Sequence, residues 1–587
     1  MRHPLGVWLV ALLACAGCAG ATVADHASEP TARAASTSTA EPARAPVCAP
    51  NDDRGRLTIW SLGGGNLFTS HWSASMSAYT AEHGVTFDLQ TFDNDRQILD
   101  RLAVTPPDDW PDLVLVSEQA RRNLVDSHRF LHPTDCDASF GDDMLPLLRA
   151  TYTVDGDLVA LPFGVSVPVL MYDSTEFTAA GLDATHPPTT LTALLDASQR
   201  IRQSGVSPSG LALSDGCGSY VVEQLAAQRG SVELEPSNGH QGTDVTVTLA
   251  TPENVAALTA LRDGVRAGHV KYIGQNNSNF DDLVQLSPTD GTSTMTIHTS
   301  GAVGDVLGLL EGGNFPGAEL GVGPMPGTAS GSLIGGNSLW LVDHHDPRRA
   351  GLAAAFLHSL YAPANLAALA AATGYVPVTK AAATQQVLLD AWAAHPQLKV
   401  AYDQVLSTPV NDATAGPVLG SFDERNRDLF AMCTDIMSGG ADVAAALRTT
   451  SDLMNEQLAA YAAAVSHGDW SLSDMTTDPV PTGTAVEPTT VTGVVSCRSG
   501  APVPGIWVEP LSATPGWAEF VALDDGRYRY TFVLSAPSAY SLHVGCGTDA
   551  TGNWATANYT PNVTGTDLTF ECVDDGLHDP GTCVAVD

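Results

Sequence analysis

Covalent or metal chemistry needs particular neighbours, so the first question is which ones this chain supplies. It holds no GxSxG elbow, which would raise a serine on a strained turn, and no HExxH helix, which would set two imidazoles on one face. His344-His345 comes nearest to a metal pair, but adjacent residues on a strand point apart, and the pair stands directly before Asp346-Pro347 in an expected loop. Carboxylates are plentiful enough for the acid and base of glycoside cleavage, and spacing alone singles none of them out. An exported glycoside or phosphodiester hydrolase therefore stands as an alternative. Other residues suit holding a solute without changing it. Ser300-Gly301 after a β-prone run and Gly335-Gly336 before one allow close backbone approach, so N–H groups there can reach a phosphate or hydroxyl, although such glycines also serve simple turns. Glu118 just past an apolar run offers a carboxylate, and Tyr375 joins a phenolic donor to a flat apolar face.

Composition narrows the class. Of 587 residues, 65 are acidic and 27 basic, a formal charge of -38, which argues against nucleic acid because phosphate backbones call for clustered Lys and Arg. Apolar residues make up 44%, sufficient for a substantial core in several domains. At the N-terminus, Arg2 and His3 precede an apolar run from Leu5 to Ala14 that is too short for a membrane-spanning helix. Residues 1–18 read as a signal peptide. Its end, Leu12-Leu13-Ala14-Cys15-Ala16-Gly17-Cys18, resembles a lipobox, with Cys18 (or Cys15) as the lipidated residue, and residues 19–53 read as a disordered tether. Export favours disulfides for the remaining eight cysteines, none of which forms a CxxC pair. The expected pairings are Cys48–Cys136, Cys217–Cys433, Cys497–Cys546 and Cys572–Cys583, although spacing does not dictate connectivity.

The elements that must position these groups alternate between short β-rich runs and helices over residues 54–466, the pattern of sheets covered by helices. Strands are expected at Leu57–Trp60, Val85–Gln90, Asp112–Val116, Thr294–Ile297 and Leu339–Val342, with a long extended stretch from Leu158 to Tyr172. Helices are expected near Arg96–Ala103, at Pro187–Gln203, through the Ala-rich region after Arg348, and as two long ones between Asp423 and Ala463. The expected architecture is α/β: two lobes exchanging strands across a hinge, the first about 54–164 and 299–346, the second about 165–298 and 347–466. Residues 467–490 read as a linker. Residues 491–587 change to β-prone runs between turns and read as a small all-β sandwich, similar at fold level to immunoglobulin-like or transthyretin-like modules.

Four segments occur in a known order. Ala160-Leu161-Pro162-Phe163-Gly164-Val165-Ser166-Val167-Pro168-Val169-Leu170-Met171-Tyr172, then Ala179-Ala180-Gly181-Leu182-Asp183, Gly335-Gly336-Asn337-Ser338-Leu339-Trp340, and Thr373-Gly374-Tyr375-Val376-Pro377-Val378-Thr379 resemble the bacterial extracellular solute-binding proteins of ABC importers, in particular their glycerol-3-phosphate-binding branch. That resemblance implies a periplasmic-binding-protein-like fold, capture of a small polar solute in an interlobe cleft, and delivery to a membrane permease. It implies no cofactor and no metal. A monomer held at the outer face of the cell membrane by its lipid is expected.

Carried over position by position, the implied contacts are Asp95, Glu118, Ser166, Thr299 or Ser300, Gly336, Tyr375 and a basic residue at Arg425 or Arg427. Two departures alter the expected ligand. Asp95 stands where many relatives have tyrosine, and near the expected tryptophan this chain reads Asp215-Gly216-Cys217-Gly218-Ser219-Tyr220, which leaves Tyr220 to take that role. These favour a glycerophosphodiester or related polyol phosphate, with a neutral saccharide next. The arginines decide between them, since a phosphate needs a bidentate partner. A surface role for the C-terminal sandwich, in adhesion or sensing, is a third reading.

Overall fold

The computed structural model describes residues 47–49, 55–63, 66–92, 94–214, 221–274, 281–286, 291–311, 317–327, 331–468, 470–472, 489–503, 505–510, 516–523, 525–534, 540–546, 558–560, 563–572 and 583–586. Cys15, Cys18, Cys217 and Tyr220 lie outside them. Among the described residues, eleven strands build the two main sheets of the first part: β1 (Arg56–Leu62), β2 (Thr86–Phe92), β3 (Leu113–Ser117), β4 (Phe130–Leu131), β5 (Leu161–Ser166), β6 (Pro168–Asp173), β7 (Ser209–Ser214), β8 (Val270–Gly274), β9 (Ser293–Thr299), β10 (Leu320–Pro324) and β11 (Gly335–Val342). β1, β2 and β3 run parallel, and β3 is buried nearly throughout, as its unbroken apolar run Leu113-Val114-Leu115-Val116 requires of a strand covered on both faces. The first sheet is ordered β2-β1-β3-β11-β4, with β5 also pairing β11, and the second β8-β7-β9-β6-β10.

The chain passes from one sheet to the other at Val167, between Ser166 at the end of β5 and Pro168 at the start of β6. Pro168 has no N–H to give to a ladder, and it occupies the first position of its strand, where a proline is tolerated. β11 returns to the first sheet between β3 and β4, antiparallel to β3 with Leu339 opposite Leu115. The two-lobed, strand-exchanging architecture is therefore present. The assignment of some segments differs from expectation. β10, expected with the first lobe, pairs antiparallel with β6 in the second sheet, with Val322 opposite Met171. The helices Pro347–Leu360 and Pro363–Thr373, expected with the second lobe, cover the first: Phe356 packs on Trp72, Tyr79 and Phe87 at ring separations of 6.0, 5.1 and 4.6 Å. A strand's apolar pattern says that it is buried, and the ladder it joins is settled by partners distant in sequence.

Local signals set the helix ends. Asn94 accepts from Gln97 N–H at 3.0 Å and starts α1 (Asp95–Val104). Thr190 likewise caps Leu191–Ser204, which begins four residues after Pro187 and ends at Gly205 in the left-handed conformation. α2 (Arg121–Asp126) follows β3 after one tight turn, α3 (Glu223–Gln228) follows β7, and α4 (Phe422–Met437) and α5 (Val443–His467) are the expected long pair. Among the described residues no single helix is long and apolar enough to cross a membrane.

Among the described residues from 489 onward, a five-stranded sheet and a four-stranded sheet share a second apolar core. Val495, Tyr530 and Phe570 from one sheet meet Ile506, Val508 and Leu542 from the other, all fully buried, which makes a β-sandwich. Disulfides join Cys48 to Cys136, Cys497 to Cys546 and Cys572 to Cys583. Cys433 is also disulfide-bonded, and its expected partner Cys217 is outside the described residues.

Candidate functional site

A cavity of about 190 Å³ opens where the two sheets meet. Glu118, at the carboxyl end of β3, and Gly336, near the start of β11, line it from the first sheet; Ser166 comes from the crossing, Thr299 from the end of β9, Glu223 from α3 and Arg425 from α4. Strand ends of open α/β sheets are where loops diverge and leave room for a ligand.

The first wall is built around Glu118. Asp95, the first residue of α1, accepts from the Ser117 N–H at 2.8 Å and from the Ser117 hydroxyl, so it holds the end of β3 and does not line the cavity. Burial pushes the Asp95 carboxyl up to about 6. Glu118 is pushed up to about 7, chiefly by burial, against the pull of the nearby Arg121 charge and of the Gly336 backbone. Gly336 has a φ of 108°, and a Cβ there would fall 2.2 Å from the Gly164 carbonyl oxygen. Only glycine lets β11 approach β5 this closely.

The second wall is built around Arg425. Its guanidinium donates to both oxygens of Glu233, each at 2.9 Å, to the Asn426 side-chain oxygen at 3.1 Å, and to Glu223. The two carboxylates hold Arg425 firmly charged, while burial pushes the Glu223 carboxyl up despite that cation. Arg427, the other expected cation, is 62% exposed and pairs with Asp428 at 3.2 Å, away from the cavity. α4 turns about 100° per residue, so positions 425 and 427 face different sides of the helix.

Ser300 and Tyr375 lie behind the walls. The Ser300 hydroxyl accepts from Val167 N–H at 3.3 Å and the Ser300 N–H donates to the Val167 carbonyl at 2.9 Å, bracing the crossing. Tyr375 meets the Phe68 ring edge-on at 5.7 Å, and a side chain on Gly301 would strike its ring; neither Ser300 nor Tyr375 lines the cavity. Burial pushes the Tyr375 phenol up to about 12. Thr299 is thus the member of the Thr299 or Ser300 alternative that reaches the cavity.

Arg121, Glu223 and Glu233 were not anticipated. Arg121 lines the cavity and donates to the carbonyls of Glu118, Thr151 and Pro417, the last at 2.9 Å. The available signal was an ionisable residue beside an apolar run: Arg121 after Leu113–Val116, and Glu223 directly after Val221-Val222. Among the described residues no cluster of His, Cys, Asp and Glu could hold a metal, and His344 instead contacts the Pro111 carbonyl at 3.0 Å.

Residues 74–400 match the family described as bacterial extracellular solute-binding proteins, over more than half of the chain. The chain belongs to that family. This solute-binding protein is 28% identical over 322 residues to the sn-glycerol-3-phosphate-binding periplasmic protein UgpB of Salmonella typhimurium, covering 54% of this chain and 70% of the relative. Two solved structures share its fold: UgpB from Mycobacterium tuberculosis in complex with glycerophosphocholine (TM-score 0.57, 18% identity, 70% of this chain and 99% of that one) and the cyclic alpha-maltosyl-1,6-maltose binding protein from Arthrobacter globiformis (TM-score 0.56, 21% identity, 69% and 98%). Members of the family bind solutes rather than transform them. In this solute-binding protein the cavity sits between the two lobes, the place where closure of one lobe on the other encloses a ligand.

Proposed function

We propose that this protein is the substrate-binding lipoprotein of an ABC import system, capturing a small polar solute between its lobes and delivering it unaltered to a membrane permease. The solute class spans glycerol 3-phosphate, glycerophosphodiesters and related sugars, the chemistries named for its relatives. The observation that carries this reading is the interlobe cavity, where Glu118, Ser166, Thr299, Gly336 and Arg425, five of the positions implied by the family resemblance, converge from both sheets and from the crossing between them. A cavity of about 190 Å³ is smaller than the roughly 300–1,000 Å³ of drug-sized sites and suits one small guest.

Capture requires only differential affinity. Moving an open population from 1:99 to 99:1 closed takes about 5.5 kcal/mol, within the roughly 8 kcal/mol of a micromolar complex. Residues 1–18 supply export, with Cys18 or Cys15 carrying lipid, residues 19–53 the tether, and residues 491–587 an accessory module; the protein acts as a monomer without a cofactor. Calorimetric titration with glycerol 3-phosphate, glycerophosphocholine and maltose-type sugars tests the reading, together with product analysis. A ligand-induced rise in Tm without product supports it. Turnover of a glycoside or phosphodiester would replace it with an enzyme, and acyl labelling lost in neither C15A nor C18A would remove the anchor.

A further inference from the structure

The guanidinium that this chain places at the cavity wall is already occupied. Glu233 takes the Nε and Nη2 donors of Arg425 in a two-point fork at 2.9 Å each, Glu223 takes Nη2 as well, and Asn426 takes Nη1 at 3.1 Å. All three side chains are enclosed, at side-chain exposures of 4%, 11% and 7% for Arg425, Glu223 and Glu233. Two carboxyls against one guanidinium leave the cluster no uncompensated positive charge, and Glu118 brings a third carboxyl to the same cavity. Arg121, the second guanidinium on the wall, gives its donors to three backbone carbonyls.

A phosphate monoester needs the opposite arrangement. It carries about 1.5 to 2 negative charges and is recognised by a free, planar fork. Here Glu233 occupies the Arg425 fork in the two-point geometry that a phosphate would use, and Glu223 adds a second carboxyl at the cavity wall. Hydroxyl groups behave differently, because they donate to carboxylates and need no positive partner.

We infer that Glu223 and Glu233 are specificity-determining residues: by closing the fork of Arg425 they exclude phosphorylated solutes and commit the cleft to an uncharged polyol or sugar whose hydroxyls donate to Glu118 and Glu223. This rests on the solute-binding reading above and narrows its ligand class.

Matched pairs test it. The purified full-length protein is titrated with glycerol against glycerol 3-phosphate, with glucose against glucose 6-phosphate, and with maltose. The expected result is that an uncharged member binds at least tenfold tighter than its phosphate. E223Q, which leaves the Glu233 fork intact and removes one ionisable carboxyl from the cavity wall, is expected to shift that ratio at least tenfold toward the phosphate. Should E223Q fail to fold, the ratio in the native protein decides alone. Tighter native binding of the phosphorylated member overturns the inference and leaves the solute-binding reading standing. An unchanged ratio in folded E223Q overturns the role of Glu223. Binding of neither member of either pair, nor of maltose, removes the solute-binding reading and this inference with it.

Discussion

Arg121 and Arg425 line one cavity and are buried alike, at 2% and 3% exposure, yet their surroundings satisfy them by opposite means. Arg121 is held by carbonyl oxygens from three separate segments, so its positive charge is offset by dipoles and it ties those segments together. Arg425 is held by the side-chain carboxyls of Glu223 and Glu233, which satisfy it at the cost of burying two ionisable groups. One wall is thus a staple and the other a closed ion cluster. The comparison teaches that an arginine in a binding cleft is no measure of the ligand's charge until its donors have been assigned.

Breaking the cluster has the largest expected effect. Arg425→Met leaves Glu223 and Glu233 buried together without a cation and is expected to lower the unfolding free energy by about 3–5 kcal/mol, read by urea titration. A loss under about 1 kcal/mol would show that the cluster relaxes into water and would end the contrast.

Next comes pH. Glu118 titrates near 7 in the folded protein against 4.5 in a free side chain, because burial disfavours its anion. The folded state therefore holds more protons than the unfolded state between those values, and stability falls as pH rises through that window, by up to about 3 kcal/mol. Unfolding measured at pH 5 and pH 8 should show the fall, and Glu118→Gln should flatten it. An equal fall in E118Q would assign the effect to other carboxyls such as Asp95.

For the staple, Arg121→Met strands carbonyls of Glu118, Thr151 and Pro417, with an expected loss of about 2 kcal/mol, less than for Arg425→Met. The reverse order would mean that the carbonyl wall carries more than the ion cluster. The smallest effect belongs to the crossing: Ser166→Ala should weaken solute binding by about 0.5–1.5 kcal/mol, read by calorimetry, with little change in unfolding midpoint. An unaltered affinity would place Ser166 on the cavity wall without a part in holding the solute.

Several features of the site were legible from residue type and order. Glu118 and Thr299 follow strong β runs, and a strand's end is a predictable place for a side chain to reach a cleft. Gly336 could be picked out because a glycine pair before a strand permits close backbone approach, and the 2.2 Å clearance to the Gly164 carbonyl shows why no other residue serves. Asp95 was legible as an acid near the cleft, though its use was not: it sits in the first turn of α1 and takes both donors of Ser117. Arg425 and Arg427 could not be separated in sequence, since the phase of α4 against the cavity depends on what packs around it.

From its residues alone this chain determined its elements: the β-prone run of β1, the caps at Asn94 and Thr190, the uninterrupted apolar run of β3, and the change to β-prone runs after residue 490. Each depends on neighbours within a few positions. Tertiary structure alone decided that β10 joins the second sheet, that Phe356 covers the first, and that Arg425 meets Glu223 and Glu233, 202 and 192 positions away. Pairings over such separations are selected by packing and burial of the whole chain, and a local pattern shows that a charge must find a partner without showing which one.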